Sequence, residues 1–197
     1  KIKLAAATRW LAALYDPVTG GVPNLGHNDG AYIFPWTVQP FEDYRPVLQA
    51  ACLAFLGQRI AASGPWDEMA AWHGLCSEGA LQYPIPEMSH NCVMRPQQSD
   101  SWAYVRAATF HDRPGHADQL HLDMWWNGDN VLLDPGTYVY NAPHPWNNSL
   151  MKTEVHNTVE VDGRDQMTRA GRFLYLDRAQ GRVIRRETKA GSSWQQV

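Results

Sequence analysis

Histidine and aspartate side chains suited to metal binding are concentrated between residues 111 and 165 of this 197-residue chain. The members of this group are His111, His116, Asp118, His121, Asp123, Asp134, His144 and His156. Neutral imidazole together with a carboxylate is a standard ligand set for zinc and other divalent metals. The segment therefore carries the residue types that a metal site requires.

Three of these residues occupy positions that can meet. His116 precedes the first strand of a predicted hairpin, Asp134 ends the second strand, and His156 is predicted to lie within a third strand. Ligands from neighbouring strands converge when they point to the same face of one sheet. We predict that the three residues hold zinc or another divalent ion, with a fourth position for water. A hydrogen-bonded polar cluster without an ion is the alternative.

A second ligand pattern competes with the first. His116-Ala-Asp118 followed by His156 also fits the His-x-Asp…His triad of non-haem iron oxygenases. In such an enzyme, Arg164 or Arg169 would be available to bind a 2-oxo acid. The pattern is short and carries little weight on its own.

The elements that must position these residues change character along the chain. Residues 1–15 are alanine-rich with apolar residues on one side, a second helix begins at Pro46, and a third covers about 66–80. Residues 1–82 are therefore predicted to be helical. The proline-containing segment 83–99 is predicted to be a linker.

From residue 100 onward, apolar and polar residues alternate, which predicts antiparallel strands. The predicted strands cover residues 101–110, 119–126, 131–133, 153–161, 172–178 and 181–188. Asn127-Gly128 and Asp162-Gly163 are predicted hairpin turns. Within the second strand, His121 and Asp123 alternate with apolar residues and are predicted to face water. Helices followed by strands predict an α+β fold with two segregated parts.

Composition and charge narrow the classes of partner. The net charge is −3 and there is no long basic run, which argues against nucleic acid as the main partner. No apolar stretch approaches the length of a membrane span. Cys52, Cys76 and Cys92 lack metal-ligand spacing and are predicted to be buried free thiols.

Four blocks of residues occur in an order and at spacings that are specific when taken together. They are Gly115-His-Ala-Asp118, Trp125-Trp-Asn-Gly128, Leu133-Asp-Pro-Gly-Thr-Tyr138 and Val155-His-Asn-Thr-Val159. Together they resemble the heparinase II/III-like family of polysaccharide lyases. The loop 23–30 and the segment 43–48 resemble the late helical part of the same proteins, so the resemblance covers nearly the whole chain.

The resemblance implies a helical (α/α) toroid followed by an antiparallel β-sandwich. Residues 1–82 would be the last helices of the toroid, and residues 100–197 the first strands of the sandwich. Three helices make a thin domain, and the strand series runs to the last residue. The chain is therefore expected to be a piece of a longer protein, spanning the junction between the two domains.

The resemblance also implies a function. Family members cleave uronic-acid-containing polysaccharides by β-elimination, so an acidic polysaccharide is the expected partner and the periplasm or cell envelope the expected location. By position, His116, Asp134 and His156 match the family's structural metal site. His116 and His156 are also the candidate catalytic histidines of the sandwich. The chain by itself is expected to be inactive, because other catalytic residues of the family come from the toroid.

One residue departs from the family pattern. Several members have His-x-His where this chain has Pro114-Gly-His116. The first histidine of that pair is catalytic in those proteins, and a proline cannot move a proton. Either His111 or His116 substitutes for it, or catalysis differs, or the protein is a glycan-binding member of the family without turnover.

Overall fold

The computed structural model describes residues 1–25, 28, 32–75, 92–95, 101–111, 113–189 and 192–196. They form two compact units. The first consists of Lys1–Val22 and Gly30–His90, and the second of Pro23–Asp29 and Asn91–Val197. None of the helices in the described ranges is long and apolar enough to cross a membrane.

The described residues of the first unit contain α-helices at the three predicted places. Helix α1 covers Ile2–Leu14, α2 covers Arg45–Leu56, and α3 covers Glu68–Trp72 after a 3₁₀ turn at Pro65–Asp67. Ala12, Tyr15, Leu48, Cys52 and Ile60 form a buried core between α1 and α2.

Local capping explains where the helices begin and end. Pro46 lies in the first turn of α2, where its missing N–H costs nothing, and Gly57 closes that helix with a left-handed φ of 69°. Helix α3 is shorter than the predicted 66–80, because Gly74 adopts a φ of 64° and Leu75 N–H donates back to the Ala70 carbonyl. Residues 76–80 lie outside the described ranges.

The second unit contains a four-stranded antiparallel sheet. Its strands are β1 (Val93–Met94), β2 (Trp102–Val105), β3 (Leu122–Trp126) and β4 (Asp129–Leu132), in the order β1-β2-β3-β4. The predicted turn at Asn127-Gly128 joins β3 to β4, and both of its residues have positive φ, as this tight hairpin requires. Trp102 and Trp125 face each other across β2 and β3 and stack with ring centroids 3.9 Å apart.

Two small hairpins complete the second unit. Strands β5 (Arg169–Gly171) and β6 (Leu174–Tyr175) form one, and β7 (Arg185–Lys189) and β8 (Ser192–Gln196) form the other. All strand pairs in the described residues are antiparallel, and the predicted α+β class is confirmed. The predicted linker, 83–99, lies largely outside the described residues, and its described part contains β1.

One predicted strand is wrong. Residues 153–161 do not form a strand; a 3₁₀ turn covers Thr153–Val155 and irregular backbone follows. Hydrogen bonds from side chains replace those of a strand ladder there. Asp165 accepts from the Thr153 N–H, and Thr153 Oγ1 donates to the Ala117 carbonyl. The predicted turn at Asp162-Gly163 is present, since Val161 and Arg164 form an isolated antiparallel bridge across it.

The cysteine prediction is confirmed where it can be examined. Cys52 and Cys92 are buried thiols outside any disulfide, and burial raises the pKa of the Cys52 thiol to about 12. Cys76 lies outside the described residues.

Candidate metal centre

His116 lies in the loop between β2 and β3, and contacts with the 151–153 segment fix this loop. The Ala117 N–H donates to the Met151 carbonyl at 2.8 Å, and Thr153 Oγ1 donates to the Ala117 carbonyl at 2.9 Å. Ala117 is fully buried and packs against Met151 in the core of the second unit. The loop that carries His116 is therefore docked beside the turn that leads to His156.

Asp134 follows strand β4 and begins the Asp-Pro-Gly turn. The Gly136 N–H donates to Asp134 Oδ1 at 2.8 Å, and this bond aims the carboxylate. Gly136 has a φ of 72°, which favours glycine, and an added Cβ would lie 2.9 Å from the Asn24 side-chain nitrogen. The turn thus requires glycine where it is found.

His116, Asp134 and His156 lie together with their side chains buried. His116 Nδ1 is 3.3 Å from His156 Nε2, and His156 Nε2 is 3.3 Å from Asp134 Oδ2. His116 Nδ1 lies 3.9 Å from Asp134 Oδ1. The three functional groups converge on one point, although His156 reaches it from a turn instead of the predicted strand.

Asp118 is a fourth member of the group. One ligand atom from each of His116, Asp118, Asp134 and His156 lies within 4.8 Å of all the others. These four residues are called the His/Asp cluster below. The sequence pattern included Asp118 only in the iron-oxygenase alternative, because it is two residues from His116 and no strand periodicity places it on the same face.

The backbone orients His156 for ligand binding. Its Nδ1 lies 2.6 Å from the Lys152 carbonyl oxygen. Since a carbonyl oxygen only accepts hydrogen bonds, Nδ1 carries the proton. In the neutral ring, Nε2 then offers its lone pair to the centre of the cluster, which is the usual arrangement of a metal-binding histidine.

Electrostatics couple Asp134 to His156. Burial acts to raise the pKa of Asp134, but the hydrogen bond and charge of His156, with the Gly136 N–H, outweigh burial and hold this pKa below its usual value. Burial acts to lower the pKa of His156, but Asp134 outweighs it and raises that pKa. In the absence of a metal ion each side chain therefore favours the charged form of the other.

The prediction that His121 and Asp123 face water is wrong. Both are buried: His121 Nδ1 accepts from the Asn157 N–H at 3.1 Å, and Asp123 Oδ1 accepts from Asn130 Nδ2 at 2.9 Å. The buried face of β3 carries Asp123 and Trp125, and the other face carries Leu122 and Met124. Because both faces of β3 contain apolar residues, the alternation of apolar and polar residues in the sequence did not identify which face is buried.

Three further histidines in the described ranges are exposed and are not members of the cluster. His73, His111 and His144 are exposed, and His27 and His90 lie outside the described residues. Pro114 is buried two residues before His116.

Comparison with known proteins identifies the family. The family described as "Heparinase II/III-like, C-terminal" matches residues 90–197, which is more than half of the chain. The chain belongs to this family. The match includes every member of the His/Asp cluster. No curated protein gives a significant match.

A solved structure shows a similar fold. A mutant of the heparan sulfate lyase from Pedobacter heparinus is 14% identical and has a TM-score of 0.52, covering 90% of this chain and 25% of that one. A heparinase III is 20% identical with a TM-score of 0.49, covering 78% of this chain and 22% of that one. The chain thus spans about a quarter of the length of these structures.

The residues of the cluster fit a divalent metal ion. Two imidazoles and two carboxylates are ordinary ligands of zinc, and their ligand atoms are close enough to reach one ion. Among the described residues, neither carboxylate oxygen of the buried Asp118 receives an aligned hydrogen bond. Buried polar atoms normally have partners; Arg106 Nε lies 3.0 Å from Oδ1, so Oδ2 is the oxygen available to an ion.

Proposed function

We propose that the protein is a polysaccharide lyase that cleaves a uronic-acid-containing glycan by β-elimination. The observation that carries this proposal is the heparinase II/III-like match over residues 90–197. The reaction requires neutralisation of the uronate carboxylate, removal of the C5 proton by a base, and protonation of the leaving glycosidic oxygen. A solved structure with a similar fold is, by name, a heparan sulfate lyase. We also propose a periplasmic or cell-envelope location.

We further propose that the His/Asp cluster holds zinc or another divalent ion in a structural role. A bound ion would supply a common positive centre for the loop with His116, the end of β4 with Asp134, and the turn with His156. Metal binding to a site built from separate segments adds directly to folding free energy. The depth of burial supports this role, since His116 and Asp134 are each at most 2% exposed.

A catalytic role for His116 and His156 stays a prediction. Both rings are buried and contact each other, whereas a base must come within hydrogen-bonding distance of the substrate proton. His116→Ala and His156→Ala separate the two roles. If a ring acts only as a ligand, its variant loses metal and activity together, and if it acts on substrate, activity falls further than metal content does.

A glycan-binding protein without turnover is the second candidate. Pro114 favours it, because this residue stands where related proteins have a catalytic histidine and it cannot transfer a proton. The iron-oxygenase alternative is less favoured. Its three residues do meet, but Asp134 adds a second carboxylate, and the family match supports a lyase instead.

The test uses the full-length protein with heparan sulfate, alginate and other uronate polymers. β-Elimination leaves an unsaturated uronate, so ultraviolet absorbance should rise with time. The same polymers with reduced carboxyl groups are the matched control and should give no rise, because their C5 proton is no longer acidic. Binding to a native polymer without any rise in absorbance would replace the lyase by the glycan-binding candidate.

A further inference from the structure

The Asp118 carboxylate is buried and has few hydrogen-bonding partners, which is what a metal ligand without its ion would show. It is fully buried, and among the described residues neither of its carboxylate oxygens receives an aligned hydrogen bond. Arg106 Nε lies 3.0 Å from Oδ1, close enough for an ion pair but not aligned as a hydrogen bond.

We infer that Asp118 binds the ion as a fourth protein ligand and closes the site. The inference rests on the metal-binding part of the proposed function and is independent of lyase activity. The Asp118 carboxylate occupies the fourth coordination position, where a site with three protein ligands would bind water. A site with four protein ligands is structural, whereas a catalytic zinc site keeps one position open for water or substrate.

Arg106 explains how Asp118 is prepared for this role. The guanidinium lies beside Oδ1, which leaves Oδ2 for the ion, and it also lies over the Phe110 ring, 5.7 Å from its centroid. The backbone of Arg106 pairs with both His121 and Leu120, so the residue is anchored on the strand side of the cluster. A fixed arginine of this kind orients a carboxylate in the manner of the supporting residues of metal sites.

Charge balance agrees with four ligands. Two carboxylates and two neutral imidazoles carry two negative charges, which one divalent ion neutralises. Without an ion, Arg106 lies close to the Asp118 carboxylate and the His156 ring lies close to the Asp134 carboxylate, but Arg106 is poorly aligned and leaves Asp118 Oδ2 without a hydrogen bond. The ion supplies the missing partner of this oxygen.

The first test measures coordination in the full-length protein loaded with Co²⁺. Electron–nuclear double resonance in D₂O detects a strongly coupled exchangeable deuteron if water is bound to the metal. We expect none in the wild type and a new one in Asp118→Ala, where water fills the vacated position. A strongly coupled deuteron in the wild type overturns the inference, and so does a wild type that binds no metal at this site.

The second test measures zinc affinity by competition with a chelator. Asp118→Ala should raise the apparent Kd by more than about 100-fold, beyond the roughly 10–100-fold range of residues that only support a ligand. Asp123→Asn is the matched control, since Asp123 is an equally buried carboxylate outside the cluster, and its Kd should change by less than about tenfold. A change of about 100-fold or less in Asp118→Ala overturns the inference.

The two tests also separate this inference from the proposed function. A bound water in a metal-loaded wild type refutes the closed site alone and leaves the lyase proposal standing. Absence of polymer cleavage refutes the lyase proposal and leaves the coordination result unchanged. If Asp118→Ala does not fold, the wild-type spectrum decides by itself.

Discussion

Asp134→Asn isolates the contribution of one charged ligand. The change keeps the size of the side chain and removes its charge. The amide oxygen can still accept the Gly136 N–H, now bound at 2.8 Å, so the turn after β4 should persist. The ion pair of Asp134 with His156, with an N–O distance of 3.3 Å, is lost.

The expected cost follows from these contacts. Removing one partner of a buried ion pair costs about 3–5 kcal/mol, because the other charge is left buried. The new amide NH₂ can donate to neutral His156 Nε2, which offsets about 1 kcal/mol. In the presence of a chelator we therefore expect the unfolding free energy to fall by about 2–4 kcal/mol.

Added metal should enlarge this difference. At a free metal concentration about 1,000 times Kd, the wild type gains about 4 kcal/mol of stability, and a variant that cannot bind gains nothing. The gap between wild type and Asp134→Asn should therefore widen by about 4 kcal/mol when the chelator is replaced by zinc.

Denaturant unfolding of the full-length protein, followed by tryptophan fluorescence, measures both differences. Trp102 and Trp125 stack within the same sheet and report on the second unit. Asp129→Asn is the control, since Asp129 is exposed on β4, and its unfolding free energy should stay within about 0.5 kcal/mol of the wild type. A gap that is the same with zinc and with chelator would refute an ion in the cluster.

Two further predictions concern the scaffold. Burial acts to raise the pKa of Asp67, but hydrogen bonds from Arg59 and Gln49 outweigh burial and hold this pKa below its unfolded value of 3.8. Because a lowered carboxyl pKa stabilises the fold only at pH values where the carboxylate is charged, the first unit should lose stability as the pH falls from 3.8 through the folded pKa. Asp67→Asn should abolish this loss, which an acid titration followed by circular dichroism measures. The Gln119 side chain accepts a hydrogen bond from the Ala108 N–H and donates to the carbonyls of Ala108 and Ala179. Gln119→Ala should therefore lower the unfolding free energy by about 2–4 kcal/mol. A melting temperature equal to that of the wild type would contradict this role.

Local signals predicted the scaffold well. Pro46 marks the start of α2, and Asn127-Gly128 marks the hairpin that brings the end of β4 next to the start of β3. Because a two-residue turn fixes the register of its strands, the approach of Asp134 to the residues before β3 follows from the sequence. The hairpin brings Asp134 toward the start of β3, and the hydrogen bonds of Ala117 with Met151 and Thr153 hold the loop of His116 there.

Long-range contacts set the rest of the site. The turn at Thr153–Val155 depends on Asp165 and on the Ala117 carbonyl, neither of which is a neighbour in sequence, so alternation of apolar residues predicted a strand instead. Asp118 joins the cluster through the path of its loop and the position of Arg106. No periodicity in the sequence contains that information.

Anomalous diffraction at the zinc absorption edge, on crystals of the zinc-loaded full-length protein, tests the metal centre most directly. The structure predicts one strong peak about 2.0–2.2 Å from His116 Nδ1, His156 Nε2 and a carboxylate oxygen of Asp134. A carboxylate oxygen of Asp118 should lie at the same distance. The account is contradicted if these side chains converge without a peak, or if the zinc is bound elsewhere while the cluster retains only its own ion pairs.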